Sequence, residues 1–211
     1  MGEVFLIRHG ETEWNREAMF RGRTDISLSE RGLEQATLLS YQMAGGRVEA
    51  VYSSPLSRAR ETAEVVAKAL GFGVTVDDRL VDMSFGEWEG KTGQEAEERW
   101  PDLYRLWNEE PSACRPPGGE SLEEVLARAW PAMEEIAARH GSGRAAVVSH
   151  RVVCKLLVCG ALGVGVGGFW RVRVDTASVS LLEHGERGWQ VKRLNDTCHL
   201  DGLGAGEQRD F

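Results

Sequence analysis

The sequence has few cysteines, no long hydrophobic run and no excess of positive charge. Its 211 residues include four cysteines with no C-x-x-C pair, so we expect scattered reduced thiols rather than a disulfide framework. No secretory signal or membrane-length apolar stretch is present, which predicts a cytoplasmic protein without a membrane partner. The net charge of −8 argues against a nucleic-acid partner, because binding to a phosphate backbone needs a concentrated positive face.

Motifs of two large enzyme classes are also missing. There is no G-x-x-x-x-G-K-[ST] loop for nucleotide phosphates, and no G-x-S-x-G elbow surrounds Ser53 and Ser54. The glycine-rich run 163–168 is interpreted as a flexible loop rather than a phosphate cradle. P-loop nucleotide hydrolysis and catalysis by a serine nucleophile therefore lack their usual sequence support.

Strand-like and helix-like patterns alternate along the chain. Strands are predicted at 3–8, 48–53, 72–76 and 144–149, with a closing hairpin at 179–183 and 189–194. Helices are predicted from the capping boxes at 27–30, 92–95 and 121–124, and over 57–70 and 152–162. This order predicts a single domain over 1–211, with 195–211 as a C-terminal tail. The expected fold is α/β, a three-layer α/β/α sandwich with a largely parallel central sheet.

Cationic and imidazole side chains follow three of the predicted strands. Arg8 and His9 end the first strand, Arg58 opens the helix after the second, and His150 follows the strand at 144–149. Because the carboxyl ends of parallel strands meet at one edge of a sheet, we expect these residues to converge there. Guanidinium groups match phosphate or carboxylate geometry, so an anionic ligand is predicted.

A metal site is the main alternative interpretation of the same residues. His9, His150 and Asp82 form a possible triad of two histidines and one carboxylate. Arg8 and Arg58 in the same pocket would repel a bound cation, which favours the anion site.

Four segments carry a resemblance to a known family. They are Leu6–Asn15, Ser53–Ala59, Phe85–Gly90 and Val147–His150. In content, order and spacing they resemble the histidine phosphatase superfamily, the phosphoglycerate mutase-like proteins. The resemblance extends over nearly the whole chain and implies the phosphoglycerate mutase-like form of the α/β fold.

The resemblance implies a role for each matching residue. His9 corresponds to the nucleophile that becomes phosphohistidine, while Arg8, Arg58 and His150 hold the phosphoryl oxygens. The family's further phosphate-contacting loop positions are occupied here by Asn15, Arg21 and Gly22. The implied reaction needs no cofactor and no metal, and its partner is a small phosphorylated metabolite. A homodimer is left open.

The general acid is the point at which the sequence departs from the family. The family usually has a glutamate four residues before the first glycine of the Phe85–Gly90 segment, which is Gly86 here. This chain has Asp82 at that position. Aspartate can transfer a proton, although its side chain is one methylene shorter. Glu87 and Glu89 are the alternative acids.

The branch of the family is predicted from the middle and the end of the chain. Mutases resemble one another in a basic insertion after the acid segment, whereas residues 90–121 are here mostly acidic and apolar. We therefore expect hydrolysis rather than transfer. The tail 194–200 resembles that of metal-independent phosphoserine and α-ribazole phosphatases, so His199 is expected to contact substrate. A mutase-type transferase and a catalytically weak phospholigand-binding module are the alternatives.

Overall fold

Six strands form one sheet in which four parallel strands lie beside an antiparallel hairpin. The computed structural model of the protein describes residues 2–204. The strands are β1 (Gly2–Arg8), β2 (Ala50–Ser53), β3 (Val74–Val76), β4 (Arg144–Ser149), β5 (Val179–Gly185) and β6 (Gly188–Asp196). Their order is β3-β2-β4-β1-β5-β6, with parallel pairing from β3 to β1 and antiparallel pairing at β5 and β6. The predicted, largely parallel sheet is confirmed.

Helices cover both faces of this sheet. They are α1 (Glu13–Arg16), α2 (Glu30–Ala44), α3 (Ser57–Leu70), α4 (Gly93–Arg99), α5 (Pro101–Glu109), α6 (Leu122–His140) and α7 (Arg151–Ala161). Alternate residues of β1 point to opposite faces, so Phe5 and Ile7 pack with the apolar side chains of α2 and α3. Val4 and Leu6 pack instead with those of α6 and α7. The result is the predicted three-layer sandwich.

Several helix ends follow the capping chemistry of the sequence. α3 has the predicted bounds and ends at Gly71, whose φ of 78° is readily adopted only by glycine. α4 and α6 begin directly after Thr92 and Ser121, and both caps form the reciprocal capping box.

The capping box predicted at Ser27 is wrong. α2 is capped by Ser29, whose hydroxyl accepts a hydrogen bond from the Gly32 amide at 3.1 Å. Ser29 is held in place because its own amide donates to the Glu11 carbonyl at 2.9 Å. This contact with a distant segment decides which of the two serines starts the helix.

The long loop at 9–26 and the glycine-rich run 163–168 are more ordered than predicted. The one-turn helix α1 lies inside the first and is capped by Thr12. The second ends in a 3₁₀ helix over Val166–Arg171. The run has G-x-G-x-x-G spacing, but it follows helix α7 rather than a strand and so lacks the context of a dinucleotide site.

Across residues 2–204, every helix is too short or too polar to cross a membrane.

Candidate active site

The carboxyl ends of β1, β2 and β4 carry the charged residues of the candidate site. Arg8 lies opposite Ser149 in the sheet, and the His9 amide donates to the Ser149 carbonyl at 2.9 Å. His150 follows directly, so that its ring centroid lies 5.2 Å from that of His9. Arg58 reaches the same place from the first turn of α3 and is fully buried. The structure thus brings together the four side chains expected at this edge.

The His9 ring is held in one tautomer. Its Nδ1 lies 2.6 Å from the Gly10 carbonyl oxygen, which can only accept a hydrogen bond. Nδ1 therefore carries the proton, and Nε2 keeps its lone pair. Burial lowers the pKa of His9 well below its usual value, and three nearby guanidinium groups lower that pKa further, those of Arg58, Arg8 and Arg21. His9 is consequently a neutral imidazole whose Nε2 carries an available lone pair.

Arg58 connects the other groups of the site. Its Nε donates to His150 Nδ1 at 3.2 Å, and its Nη2 donates to Asp82 Oδ2 at 3.2 Å. The carbonyls of Gly22 and Thr24 accept from Nη2 and Nη1 at 2.8 and 2.9 Å. The guanidinium plane is therefore fixed by partners from three different loops.

His150 has the opposite tautomer to His9. Because its Nδ1 accepts from Arg58, its Nε2 carries the proton and donates to the Ser54 hydroxyl at 2.7 Å. Burial lowers the pKa of His150 well below its usual value, and the charge of Arg58 adds to the effect. Ser54 thus orients an imidazole, a role that the sequence analysis did not assign to it. The sequence feature that could have indicated this role is the position of Ser54 directly after β2, at the same edge of the sheet as the histidines.

Asp82 lies in the same cluster and is buried. Its Oδ1 accepts from the Met83 amide at 2.9 Å, while Oδ2 contacts Arg58 and lies 3.8 Å from His150 Nδ1. Burial raises the pKa of Asp82, and the charges of Arg58 and Arg21 oppose this rise only in part. A carboxyl with a raised pKa can remain protonated long enough to act as a general acid.

Arg128 positions the segment that carries Asp82, and the sequence analysis missed it. From α6, its guanidinium donates to the carbonyls of Arg79, Val81 and Asp82 at 2.8, 2.7 and 3.0 Å. It also pairs with Glu120 at 2.9 Å. No local pattern marks this residue, because the three carbonyls that it holds lie more than 40 residues away in the sequence.

The two alternative acids lie outside the cluster. Glu87 pairs with Arg99 at 3.3 Å, and both side chains are more than half exposed. Glu89 accepts from the amides of Arg23 and Phe85 at 3.1 and 3.0 Å and so ties two loops together. Of the three candidate carboxylates, Asp82 alone contacts the arginine and histidine groups.

The three residues expected at phosphate-contacting loop positions, Asn15, Arg21 and Gly22, differ in their surroundings. Arg21 is buried and donates to the Trp14 carbonyl at 3.2 Å. Asn15 completes the capping box of α1, since its side-chain oxygen accepts from the Thr12 amide at 2.9 Å. Gly22 has a φ of 53°, and a Cβ there would collide with the Glu89 carboxylate. Its carbonyl holds Arg58, so the absence of a side chain allows this loop to approach the site closely.

Residues 4–197 match the histidine phosphatase superfamily (branch 1). The chain belongs to this superfamily. The predicted family is therefore confirmed, and together with the phosphatases among the relatives it confirms the predicted enzyme class, a hydrolase acting on phosphomonoesters.

Similar proteins of known name include several phosphatases. Phosphoserine phosphatase 1 of Hydrogenobacter thermophilus is 38% identical over 200 residues, which cover 95% of each chain. Phosphoserine phosphatase of Entamoeba histolytica, solved with 3-phosphoglyceric acid, is 26% identical with a TM-score of 0.86, covering 95% of this chain and 100% of that one. The α-ribazole phosphatase of Shigella flexneri is 26% identical with a TM-score of 0.83, covering 92% and 96%.

In this histidine phosphatase, His199 lies beside the site rather than within the cluster. It belongs to the 3₁₀ helix at Cys198–Leu203 and is half-buried. Burial lowers the pKa of His199. The charge of the nearby Asp196 and a hydrogen bond with the backbone of Ala177 act in the opposite direction on that pKa. The Ala177 amide donates to the His9 carbonyl at 3.1 Å, so the tail histidine lies near the end of β1.

The geometry of this histidine phosphatase disfavours the alternative metal site formed by His9, His150 and Asp82. Arg58 donates to both Asp82 and His150 and so places a fixed positive charge between two of the three supposed ligands. Within residues 2–204, no cluster of three histidine, cysteine or acidic side chains is arranged to hold a metal ion. A site for an anion fits this cluster better, because the positively charged Arg58 guanidinium already lies between two of the groups that would have to bind the metal.

Proposed function

We propose that this protein hydrolyses phosphomonoesters of small metabolites through a phosphohistidine intermediate on His9. The observation that carries the proposal is the state of His9. It is neutral, protonated at Nδ1, and surrounded by the guanidinium groups of Arg8, Arg21 and Arg58. This combines a nucleophilic nitrogen with positive charge for the phosphoryl oxygens.

The first step transfers the phosphoryl group to the enzyme. His9 Nε2 attacks phosphorus in line, the P–N bond forms and the P–O ester bond breaks. Asp82 gives its proton to the leaving alkoxide, which departs as an alcohol. Arg8 and Arg58 supply positive charge to the phosphoryl oxygens as their negative charge is redistributed, and His150 holds the Nε of Arg58 in place.

The second step releases phosphate. Asp82, now ionised, removes a proton from a water molecule, which attacks phosphorus and breaks the P–N bond. Inorganic phosphate leaves, His9 regains its lone pair and Asp82 is again protonated. Both steps thus use the same acid–base group in opposite directions.

The direct test is capture of the intermediate. Protein quenched during turnover should carry a phosphoryl group on the peptide that contains His9, as detected by mass spectrometry under alkaline conditions. Phosphate on another residue, or none during rapid turnover, would refute the covalent mechanism.

Hydrolysis is favoured over transfer by the ion pairs of residues 90–121. Arg99 pairs with Glu87, Arg105 with Glu109, and Arg115 with Glu124. These basic side chains are therefore neutralised within the chain and are poorly suited to hold a bisphosphate. With 3-phosphoglycerate we expect glycerate and free phosphate; formation of 2-phosphoglycerate would instead indicate a mutase. A pure phospholigand-binding module would give neither product.

Activity is expected to survive excess EDTA. The reason is that arginines supply the positive charge which metal ions supply in other phosphatases. Initial rates before and after prolonged chelation measure this directly. Loss of activity that returns with a divalent cation would revive the triad of His9, His150 and Asp82.

The expected pH dependence of phosphoryl transfer follows from the shifted pKa values of His9 and Asp82. Because the pKa of His9 lies well below 6.5, the nucleophile stays neutral as the pH falls through that value. Because the pKa of Asp82 is raised, its acid form is lost only as the pH rises. We expect single-turnover phosphoryl transfer to show no acid-side loss near pH 6.5 and to slow on the alkaline side.

Asp82→Asn is the control for this profile, because the variant has no titrating acid and should lose the alkaline-side decline. An acid limb near 6.5 in the wild type that remains after correction for the second ionisation of the substrate phosphate, which occurs at about pH 6, would mean that the His9 pKa is unshifted.

A further inference from the structure

Two peptide units meet at Gly10, and the second of them carries the carbonyl that holds the His9 ring. The first unit joins His9 to Gly10. Its carbonyl accepts from the Ala177 amide at 3.1 Å, and its N–H donates to the Thr62 hydroxyl at 3.0 Å. The second unit joins Gly10 to Glu11, and its carbonyl oxygen lies 2.6 Å from His9 Nδ1. The position of the proton on His9 therefore depends on the orientation of this second unit.

Gln35 holds the other side of the second peptide unit. From α2, its Oε1 accepts a hydrogen bond from the Glu11 amide at 2.8 Å. A trans peptide is planar, and its N–H and C=O point in opposite directions, so a contact that fixes the N–H also fixes the direction of the Gly10 carbonyl. The His9 ring and the Gln35 side chain thus bind opposite sides of one rigid unit.

The side-chain amide of Gln35 is itself held in a single orientation. An N–H group can only donate, so the atom that faces the Glu11 amide is Oε1. On the other side, Nε2 donates to the Thr176 hydroxyl at 3.2 Å, in the segment before β5. The side chain is buried, which shields both hydrogen bonds from water. A buried amide that is paired at both ends keeps a fixed geometry and can fix that of its neighbour.

The backbone around this contact is anchored independently of Gln35. The Glu11 carbonyl accepts from the Ser29 amide at 2.9 Å. Gly10 packs so closely on α2 that a Cβ there would lie 2.6 Å from the Gly32 carbonyl oxygen. Replacement of Gln35 should therefore leave the loop in place and loosen only the peptide unit between Gly10 and Glu11.

We propose that Gln35 is a positioning residue for the nucleophile: it keeps the Gly10 carbonyl on His9 Nδ1 and so keeps the lone pair on Nε2. The proposal rests on the phosphatase function above and adds a residue that acts on the reaction only through His9. When the carbonyl turns away, the imidazole can carry its proton on Nε2 instead. That tautomer has no lone pair on Nε2 and cannot attack phosphorus through that atom.

Gln35→Met removes the accepting oxygen while it keeps a long, unbranched side chain in the buried site. We expect the maximal rate of single-turnover transfer from p-nitrophenyl phosphate to fall on the order of tenfold, as for loss of one buried hydrogen bond. Gln35→Glu keeps an oxygen that accepts from the Glu11 amide and should restore most of the rate. Gln42→Met is the matched control, because on the same helix it removes a hydrogen bond to Asp196 instead and should leave the rate unchanged.

Direct contact with the substrate is the competing role for Gln35, because its side chain also lines a surface cavity together with Glu11 and Thr176. Such a contact would raise the substrate concentration that gives half the maximal single-turnover rate. A positioning role should leave that concentration nearly unchanged and lower the maximal rate. A higher half-saturating concentration without a change in the maximal rate would therefore reject the proposal.

The tautomer of His9 is a readout that a general loss of stability does not reproduce. In protein labelled with nitrogen-15 at histidine, the chemical shifts of the ring nitrogens show which one carries the proton. The His9 signals are those that disappear in His9→Ala. We expect the proton on Nδ1 in the wild type, Gln42→Met and Gln35→Glu, and a mixture of tautomers in Gln35→Met. Gln35→Leu, which also lacks the acceptor, replaces Gln35→Met if that variant does not fold.

The tautomer measurement needs no turnover and so separates this proposal from the proposed function. A mixture of tautomers in Gln35→Met would support the hold of Gln35 on His9 even if the wild type forms no phosphohistidine. An unchanged tautomer in this variant would overturn the proposal even if phosphohistidine forms, and so would an unchanged rate despite a mixture of tautomers.

Discussion

His9→Ala is expected to lower kcat by on the order of 10³-fold or more while the protein stays folded. The substitution removes Nε2 and with it the covalent route. Arg8, Arg58 and Asp82 remain, but the reaction then requires direct attack by water at a site arranged around an imidazole. The rate of phosphate release from a phosphomonoester measures the loss.

The fold should tolerate this substitution for electrostatic reasons. Since the pKa of His9 is well below 6.5, the folded protein holds the ring neutral, and removing it deletes no charge from the cluster. The substitution removes one hydrogen bond to the Gly10 carbonyl, a contribution of about 1 kcal/mol, and the ring contact with His150. Thermal unfolding followed by circular dichroism should therefore show a small decrease in Tm at most.

A second histidine variant controls for nonspecific effects. His184 lies on the exposed end of β5 and pairs with Gly2, at the opposite end of β1 from Arg8 and His9. His184→Ala should retain both full activity and the phosphorylated peptide. If a well-folded His9→Ala kept a substantial fraction of wild-type activity, the phosphohistidine mechanism would be wrong.

The residues at the strand ends could be predicted because topology alone brings them together. Once β1, β2 and β4 are parallel and adjacent, Arg8, His9 and His150 must follow neighbouring strand ends. Arg58 follows as well, because the turn after β2 leads directly into α3. These inferences need only the strand pattern and the rule that parallel strands end at one edge.

The hydrogen bonds within the site could not be predicted in the same way. The orientation of Arg58 depends on carbonyls of Gly22 and Thr24, whose loop has no periodic pattern. Arg128 reaches the Asp82 segment from the middle of α6, where an arginine is indistinguishable in sequence from a solvated surface residue. Such partners are determined by tertiary packing, which brings together segments that are distant in the sequence.

The burial of Lys155 could not be predicted for a related reason. Lys155 is a single charge in an apolar helix, and Trp170 follows a glycine-rich run that resembles a flexible loop. Their contact depends on the 3₁₀ helix at Val166–Arg171, which places Phe169 and Trp170 beneath the ammonium. A local reading of the sequence assigns the lysine to solvent and the tryptophan to the core.

Asp82→Asn is expected to slow phosphoryl transfer from substrates with poor leaving groups by about 10²–10⁴-fold. The amide keeps the size of the side chain and one accepting oxygen, so it can accept from Arg58 or from the Met83 amide but not from both, and it has no acidic proton to give. An alkoxide such as that of serine or a sugar needs this proton as it leaves. Single-turnover measurement of the first step avoids interference from the later hydrolysis of phosphohistidine.

An activated ester distinguishes a general acid from a structural carboxylate. p-Nitrophenyl phosphate expels a stable anion that needs little protonation, so its transfer to His9 should suffer far less in Asp82→Asn than that of phosphoserine. Asp78→Asn, at an exposed position four residues earlier, is the matched control and should affect neither substrate. A structural defect at Asp82 would instead slow both substrates by the same factor.

Asp82→Glu tests the reach of the acid separately from its chemistry. The longer side chain restores the residue usual in the family and extends the carboxyl by one methylene toward the leaving group. If reach limits proton transfer, this variant should match or exceed wild-type activity on phosphoserine. Equal slowing of good and poor leaving groups in Asp82→Asn, together with loss of activity in Asp82→Glu, would assign Asp82 to holding Arg58. The acid would then have to be another group, because Glu87 and Glu89 point their carboxylates at Arg99 and at the loop amides of Arg23 and Phe85.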